Sequence, residues 1–200
     1  MSSELKILKN SDTIIISFGG NAQQFLQILP FEFLNFLNKH FEDFDKYFYI
    51  DKNKAHYHKG IEGISNNINE TTEYLKNIIN KYKKVIFLGT SAGGYAAILF
   101  GSLLKVNTVA AFMPQTILEK EEKYDEKYLN LKKFINKETK YFIYGNLSST
   151  DKLHHINHLI NLENIKNVYL FKRETLKIKE MRDSGELLKI LDNIINEKNE

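Results

Sequence analysis

Apolar and polar positions follow two periods along the chain and divide it into strand-like and helix-like stretches. Continuous apolar runs of four to six residues predict strands that are buried on both faces. Stretches with apolar residues at spacings of three and four predict amphipathic helices. The predicted strands cover residues 13–18, 47–50, 85–88, 108–112, 141–144 and 168–171, and the predicted helices cover 25–39 (one or two short helices), 65–83, 95–104, 119–137, 151–162 and 183–196.

Strands that alternate with helices predict an α/β fold. We expect a three-layer α/β/α sandwich with a mainly parallel sheet of about six strands and helices on both faces. The 200 residues contain no linker and no internal repeat, so a single domain over residues 1–200 is expected. Charges run all round the predicted helix 119–137, which favours an exposed helix over a cap above a site.

The composition excludes several classes of function. There is no cysteine, so disulfides, thiolate catalysis and cysteine-bound metals are excluded. The net charge is only +3 and there is no long basic run, so the sequence does not predict nucleic-acid binding. The N-terminus lacks a signal-peptide pattern, and no apolar run has the ~20 residues of a membrane span. We expect a cytoplasmic protein, and no feature of the sequence predicts an oligomeric state.

The clearest chemical motif lies between a predicted strand and a predicted helix. Residues 89–94 read Gly-Thr-Ser-Ala-Gly-Gly, which matches G-x-S-x-G, the pattern of a nucleophile elbow. Small neighbours permit the tight turn, and the following helix directs its N-terminus at the site. The motif predicts Ser91 as a nucleophile, and a glycine-rich turn without chemistry is the alternative. There is no P-loop and no G-x-G-x-x-G, so no nucleotide cofactor is expected.

An elbow requires backbone donors for the oxyanion of an acyl-transfer intermediate. One donor is expected to be the N–H of the residue after the nucleophile, which is Ala92. The second is expected in the loop after the first central strand, where residues 17–21 read Ser-Phe-Gly-Gly-Asn. Glycine allows close approach of the backbone to a substrate oxygen. Gly20 and Asn21 are therefore the candidates, and a plain turn is the alternative.

The acid and the base follow from the order of such a triad, which is serine, acid, histidine. Asp151 lies in the loop after strand 141–144, where the acid belongs, and a helix cap is its alternative role. No histidine occurs after His158, so the region 172–179, after the last strand, cannot supply the base.

The base must then come from an earlier loop. His154 and His155 follow closely after the predicted acid, and His56 and His58 lie in the polar loop 51–63. All parallel strands end at the same edge of a sheet, so either pair can reach the serine. We take His154 as the first candidate and His155, His56 and His58 as alternatives. The His-x-His pair has no carboxylate nearby beyond Asp51, so no metal site is expected.

Several segments together resemble a group of short α/β-hydrolase-like proteins associated with bacterial capsule, O-antigen and other surface-glycan loci. The resemblance implies a minimal α/β-hydrolase fold, with Ser91 as nucleophile, Asp151 as acid and a histidine near Thr175. This sequence departs from the pattern there, because that stretch holds no histidine. The matching segments are 18–20, 30–33, 89–97, 100–104, 111–116 and 182–187, with Asp51 and residues 58–60.

Three functions remain open on these grounds. The first is a serine esterase or deacylase that acts on a small-molecule or glycan ester and serves polysaccharide biosynthesis. The second is a catalytically silent α/β-hydrolase-fold protein that binds a glycan or a partner protein, which the missing late histidine favours. The third is a flavodoxin-type binding domain, which would need a phosphate-binding loop at residues 19 and 20. None of the predicted chemistry requires a cofactor.

Overall fold

A seven-stranded sheet forms the centre of the computed structural model, which describes residues 2–21, 31–150, 154 and 156–196. The strand order is β1-β3-β2-β4-β5-β6-β7, and every neighbouring pair is parallel except β1 and β3. The α/β sandwich predicted from the sequence is confirmed. The strands are β1 (Glu4–Ile7), β2 (Thr13–Phe18), β3 (Asp45–Tyr49), β4 (Lys84–Thr90), β5 (Thr108–Phe112), β6 (Lys140–Asn146) and β7 (Val168–Arg173).

Helices cover both faces of the sheet and enclose two apolar cores. Because successive strand residues point to opposite faces, Ile14 and Ile16 of β2 lie in one core and Ile15 lies in the other. Apolar packing on both faces explains the continuous apolar runs in the sequence. The helices are α1 (Leu34–His40), α2 (Ile68–Ile79), α3 (Ala92–Leu104), α4 (Asn157–Ile160), α5 (Ile178–Asp183) and α6 (Glu186–Asn196).

The segment 117–135, which we call the strap, corrects one prediction. An exposed α-helix over 119–137 is wrong: the strap holds only two short 3-10 helices, Glu126–Tyr128 and Leu131–Phe134. Ile117 and Asn130 form an antiparallel bridge that folds the strap back on itself. Its buried apolar residues are spaced irregularly because they cover the α3 side of the sheet, and no single helical stripe could bury them all. They are Leu118, Tyr124, Tyr128 and Leu131.

Further differences concern an edge strand, the closing helix and parts of two predicted helices. The prediction missed β1, a four-residue edge strand whose Glu-Leu-Lys-Ile pattern alternates in the expected way but is short. The closing helix begins at Glu186, and α5 precedes it as a separate helix, with Gly185 at φ 83° between the two. Parts of the predicted helices 25–39 and 151–162 lie outside the described residues. Within the described part, no helix has the length and apolarity required to cross a membrane.

Candidate active site

Ser91 occupies a tight turn between β4 and α3, and its backbone is strained. Its φ of 55° and ψ of −120° fall in a region that residues with a side chain rarely adopt. A Cβ on Gly89 would lie 2.2 Å from the Gly93 oxygen, and a Cβ on Gly93 would lie 2.0 Å from the Phe18 oxygen. The turn therefore requires glycine at both positions, which explains the G-x-S-x-G spacing.

The serine also stands at the N-terminus of α3, a helix of 13 residues. The first N–H groups of a helix have no intrahelical acceptor, and the helix dipole adds positive potential at this end. Ala92, which the sequence predicts as an oxyanion donor, is the first residue of α3 and is buried. Negative charge that develops beside Ser91 would be stabilised here.

One of the predicted histidines contacts the serine. His154 lies between β6 and α4, is half-buried, and places its Nε2 3.1 Å from Ser91 Oγ. The two loops meet because β4 and β6 flank β5 and all three strands end at the same edge of the sheet. The predicted acid, Asp151, and the alternative base, His155, lie outside the described residues.

A second side chain on Ser91 Oγ was missed by the sequence analysis. Gln115 follows β5, and its Nε2 donates a hydrogen bond of 3.0 Å to the serine oxygen. The residue is only 2% exposed. Its signal in the sequence is weak but physical, because a polar residue just beyond the carboxyl end of a central parallel strand lies where such sheets bind ligands.

The carboxylate of Asp51 organises the loop after β3. It accepts hydrogen bonds from the backbone N–H groups of Asn53, Ala55 and Tyr57 at 3.1, 2.8 and 2.9 Å. Burial raises the pKa of Asp51, and these hydrogen bonds oppose the rise. His56 and Tyr57 have φ values of 51° and 64°, which costs about 1 kcal/mol or more per residue. The loop is therefore held in one strained conformation that aims His56 inward.

His56 reaches the serine only through Gln115. Its Nε2 is 3.3 Å from Gln115 Oε1, and its Nδ1 is 2.9 Å from the Tyr124 hydroxyl of the strap. The imidazole is buried, and burial lowers its pKa to about 4. The ring is therefore neutral at neutral pH, and both of its nitrogens are hydrogen-bonded. This alternative base does not contact Ser91 in the structure.

His58 connects the loop to other parts of the protein. Its Nε2 is 2.8 Å from the Tyr95 hydroxyl, and its Nδ1 accepts the Asp125 backbone N–H at 2.9 Å. Tyr95 donates its own proton to the Tyr128 carbonyl oxygen, so the His58 proton must be on Nε2. Burial lowers the pKa of this histidine to about 4 as well. The geometry gives it a role in packing the loop against α3 and the strap.

The loop after β2, which is predicted to hold the second oxyanion donor, packs against the serine. A Cβ on Gly20 would lie 3.6 Å from Ser91 Cβ. The Gly20 N–H donates to Glu32 Oε2 at 2.9 Å, and burial raises the pKa of that carboxyl to about 7. Asn21 is the next residue and is exposed. Of the two predicted donors, Gly20 thus already donates its N–H to a carboxyl group.

An open cavity of about 430 Å³ is lined by Gln115, which donates to Ser91 Oγ, although neither Ser91 nor His154 lines it. His56 also lines this cavity, and Ile117, Leu118 and Tyr124 of the strap supply an apolar wall. This volume lies in the range of small-molecule binding sites. The strap, which the sequence predicted as a plain solvated helix, therefore forms one wall of a cavity beside Gln115.

Thr175 stands where the resemblance implies a histidine, and it is exposed. The next residue, Leu176, is buried, and its N–H donates to the Asn146 side chain at the end of β6. The chain here is an ordinary connection from β7 to α5. Across the described ranges, no group of three or more His, Asp or Glu side chains is arranged to hold a metal.

Comparisons with known proteins support the fold. Neither the protein-family models nor the curated proteins contain a match to this chain. Among solved structures, the chain is similar to a mutant capsule O-acetyltransferase of Neisseria meningitidis serogroup A in complex with CoA. The TM-score is 0.66 at 15% identity, covering 94% of this chain and 90% of that one.

Two further structures extend this likeness. An esterase of Pyrococcus furiosus matches with a TM-score of 0.61 at 17% identity, covering 94% of this chain and 83% of its own. The mouse α/β-hydrolase domain-containing protein 10 matches with a TM-score of 0.60 at 11% identity, covering 97% and 93%. At such low identities the likeness concerns architecture. The chain therefore has the α/β-hydrolase fold.

Proposed function

We propose that this chain is a serine-dependent enzyme that takes the acyl group from carboxylic esters, with Ser91 as nucleophile and His154 as general base. The observation that carries the proposal is the 3.1 Å contact between Ser91 Oγ and His154 Nε2. The contact occurs on a strained turn at a helix N-terminus, and strained backbone of this kind concentrates at functional sites. An esterase and an O-acetyltransferase with a similar fold support this chemistry.

The reaction begins as Ser91 Oγ attacks the carbonyl carbon of the ester and its proton passes to His154 Nε2. The carbonyl oxygen becomes an oxyanion. When the C–O bond to the alcohol breaks, the leaving oxygen takes the proton from His154 and an acyl-serine remains. A second hydroxyl, from water or from another alcohol, then attacks the acyl-serine with His154 again as base.

The oxyanion is assigned to backbone donors at two loops. The Ala92 N–H at the start of α3 is the first donor, and the helix dipole supports it. Asn21 is the preferred second donor because the Gly20 N–H already donates to Glu32. We assign Glu32 the role of holding this loop in position, since its carboxyl group ties Gly20 to the segment before α1.

The acid of the triad stays a prediction. Asp151 precedes His154 by three residues in the loop after β6, and we propose that it orients the imidazole. In this arrangement both acid and base come from one loop. The late histidine that the resemblance implies near Thr175 is then unnecessary, because its place beside the serine is taken by His154.

The substrate class follows from the resemblance and from the structural neighbours. We propose an O-acylated glycan or small molecule, in the context of surface-polysaccharide biosynthesis. If the acyl acceptor is water, the enzyme is an esterase. A second candidate is transfer of an acetyl group from a thioester donor to a sugar hydroxyl, which the CoA complex of the meningococcal enzyme favours.

The test is covalent labelling of the purified protein with a fluorophosphonate, which reacts with activated serines. We expect stoichiometric labelling of the wild type and none of Ser91→Ala. Hydrolysis of p-nitrophenyl acetate and of acetyl-CoA, with and without added oligosaccharide, then separates esterase from transferase activity. A folded wild type that is neither labelled nor active would overturn the proposal and favour the silent, glycan- or protein-binding alternative.

A further inference from the structure

Three buried side chains lead without interruption to the oxygen of Ser91. The Tyr124 hydroxyl is 2.9 Å from His56 Nδ1, and His56 Nε2 is 3.3 Å from Gln115 Oε1. Gln115 Nε2 then donates to Ser91 Oγ at 3.0 Å. Tyr124, His56 and Gln115 are 9%, 5% and 2% exposed, so water competes little for these contacts.

Such a chain can run in two directions. In the first, each group passes its proton toward the serine: tyrosine to Nδ1, Nε2–H to the glutamine oxygen, and the glutamine N–H to Oγ. In the second, the serine donates to the glutamine oxygen, the amide is turned over, and His56 carries its proton on Nδ1. Only the first direction leaves the hydroxyl proton of Ser91 free to point at His154 Nε2.

The orientation of the Gln115 amide selects the first direction. Its Oε1 faces His56 Nε2 at 3.3 Å, and its Nε2 donates to Ser91 Oγ at 3.0 Å. An amide oxygen can only accept, so His56 carries its proton on Nε2 and its Nδ1 accepts from the Tyr124 hydroxyl. The Lys123 ammonium lies 4.9 Å from the centre of the Tyr124 ring and is paired with Glu121 at 2.9 Å. Its positive charge beside the ring favours the phenol as a donor.

We infer that Tyr124, His56 and Gln115, with the charge of Lys123 beside the Tyr124 ring, form a one-directional hydrogen-bond chain that sets the Ser91 hydroxyl proton toward His154. The inference rests on the proposed function for its catalytic consequence. Gln115 touches the reacting oxygen and is a catalytic residue. The other three are positioning residues that act through it.

This hydrogen-bond chain affects both the attack by Ser91 and the release of the acyl group. Because the glutamine N–H occupies one side of Oγ, the serine donates its proton to His154 as the bond from Oγ to the acyl carbon forms. The same N–H stabilises negative charge on Oγ when that bond breaks and the proton returns from His154. A donor aimed at developing charge in a water-poor site contributes about 100-fold or more in rate.

The strained loop after β3 supports this inference. His56 is held at φ 51° by a loop whose carboxylate, Asp51, accepts three backbone N–H groups. The Asp51 contacts hold the backbone of the loop, and hydrogen bonds to Tyr124 and Gln115 hold the imidazole of His56.

The direct test is the tautomer of His56, read by 15N NMR of protein labelled with [15N]histidine at pH 7. A His56→Gln sample assigns the signal. We expect a protonated Nε2 and an unprotonated Nδ1. A protonated Nδ1 would overturn the inference. This measurement needs no catalytic activity, so it can succeed or fail independently of the proposed function.

The second test compares two Gln115 variants by their rate of fluorophosphonate labelling. Glutamate keeps the shape of glutamine but offers only acceptors to Ser91 Oγ, so the serine proton turns away from His154. We expect about a 100-fold lower rate for Gln115→Glu and a smaller loss for Gln115→Met, which offers neither donor nor acceptor. A merely space-filling Gln115 would give the opposite order, and that result would contradict the inference.

Lys123, at the outer end of the hydrogen-bond chain, has a matched control. Lys127 lies 4.8 Å from the centre of the Tyr128 ring on the same strap, as Lys123 does over Tyr124. We expect Lys123→Met to give a mixture of His56 tautomers and slower labelling, and Lys127→Met to leave both unchanged. A wild-type tautomer in Lys123→Met would overturn the role of Lys123. An unlabelled wild type with the expected tautomer would refute the proposed function alone and leave the direction of the chain standing.

Discussion

His154 and His56 are both linked to the Ser91 hydroxyl, one by a direct contact and the other through a glutamine. His154 is half-buried in a short turn and contacts Oγ directly. His56 is buried in a tied loop and reaches Oγ through the Gln115 amide, with both ring nitrogens already bonded. Under the proposed function, the contacts of the ring nitrogens, and not proximity to the serine alone, separate the general base from the positioning residue.

The largest expected effect belongs to His154. The substitution His154→Gln should lower the rate of fluorophosphonate labelling by about 1,000-fold or more, because an amide cannot take a proton at neutral pH. His40→Gln is the control, since His40 ends α1 and packs against Phe36, away from Ser91. It should be labelled at close to the wild-type rate. Equal labelling of His154→Gln and the wild type would exclude His154 as the base.

A smaller effect, on stability, is expected from the buried pair His56 and His58. In the folded protein the pKa values of His56 and His58 are about 4, below the usual 6.5. Between these values the unfolded chain binds more protons, so stability is present above pH 6.5 and is lost as the pH falls toward 4. The raised pKa of Glu32, about 7 against 4.5, acts in the opposite direction. Two histidines outweigh one carboxyl, and these three groups together destabilise the fold in acid.

Two variants resolve these contributions when urea unfolding is followed between pH 4.5 and 7. His58→Gln should flatten the fall of the unfolding free energy toward acid, and Glu32→Gln should steepen it. Each change is expected to approach about 1.4 kcal/mol per pH unit in the middle of the window, which is the slope for one proton. A parallel pH dependence in wild type and His58→Gln would show that this histidine is not held neutral by burial.

The smallest effect is expected at Thr175. This residue is exposed at the position where the resemblance implies a histidine, while His154 already occupies the contact with Ser91 Oγ. Thr175→Ala should therefore leave both the labelling rate and the melting temperature close to those of the wild type. A loss of labelling in Thr175→Ala would show that the end of β7 still takes part in the site.

Much of the fold was predictable because the information is local. The predicted strands 13–18 and 108–112 have the same bounds as β2 and β5, since an apolar run on a sheet buried on both faces has no other good placement. The structure of the strap could not be predicted from its apolar pattern in this way. Its apolar side chains pack against α3 and the loop after β3 rather than along one face of a helix, and periodicity within the segment carries no record of that.

Some parts of the candidate site were likewise predictable from local sequence, and others were not. The spacing of Gly89 and Gly93 predicts the turn at Ser91. A Cβ on Gly89 would collide with the backbone of Gly93, and a Cβ on Gly93 would collide with the backbone of Phe18 on β2. His154 was one of four candidate histidines. Gln115 gave only a weak signal, since its partners His56 and Ser91 come from other loops.

The sequence by itself determined the parallel sheet, the apolar cores on its two faces and the strained turn that carries Ser91. These depend on the size and polarity of neighbouring residues, which a local pattern records. Only the tertiary structure decided which histidine contacts the serine, that the Gly20 N–H donates to Glu32, and that Tyr124 of the strap hydrogen-bonds to His56. Those contacts join residues far apart in the chain, and their geometry exists only after the strands have brought their carboxyl ends to one edge.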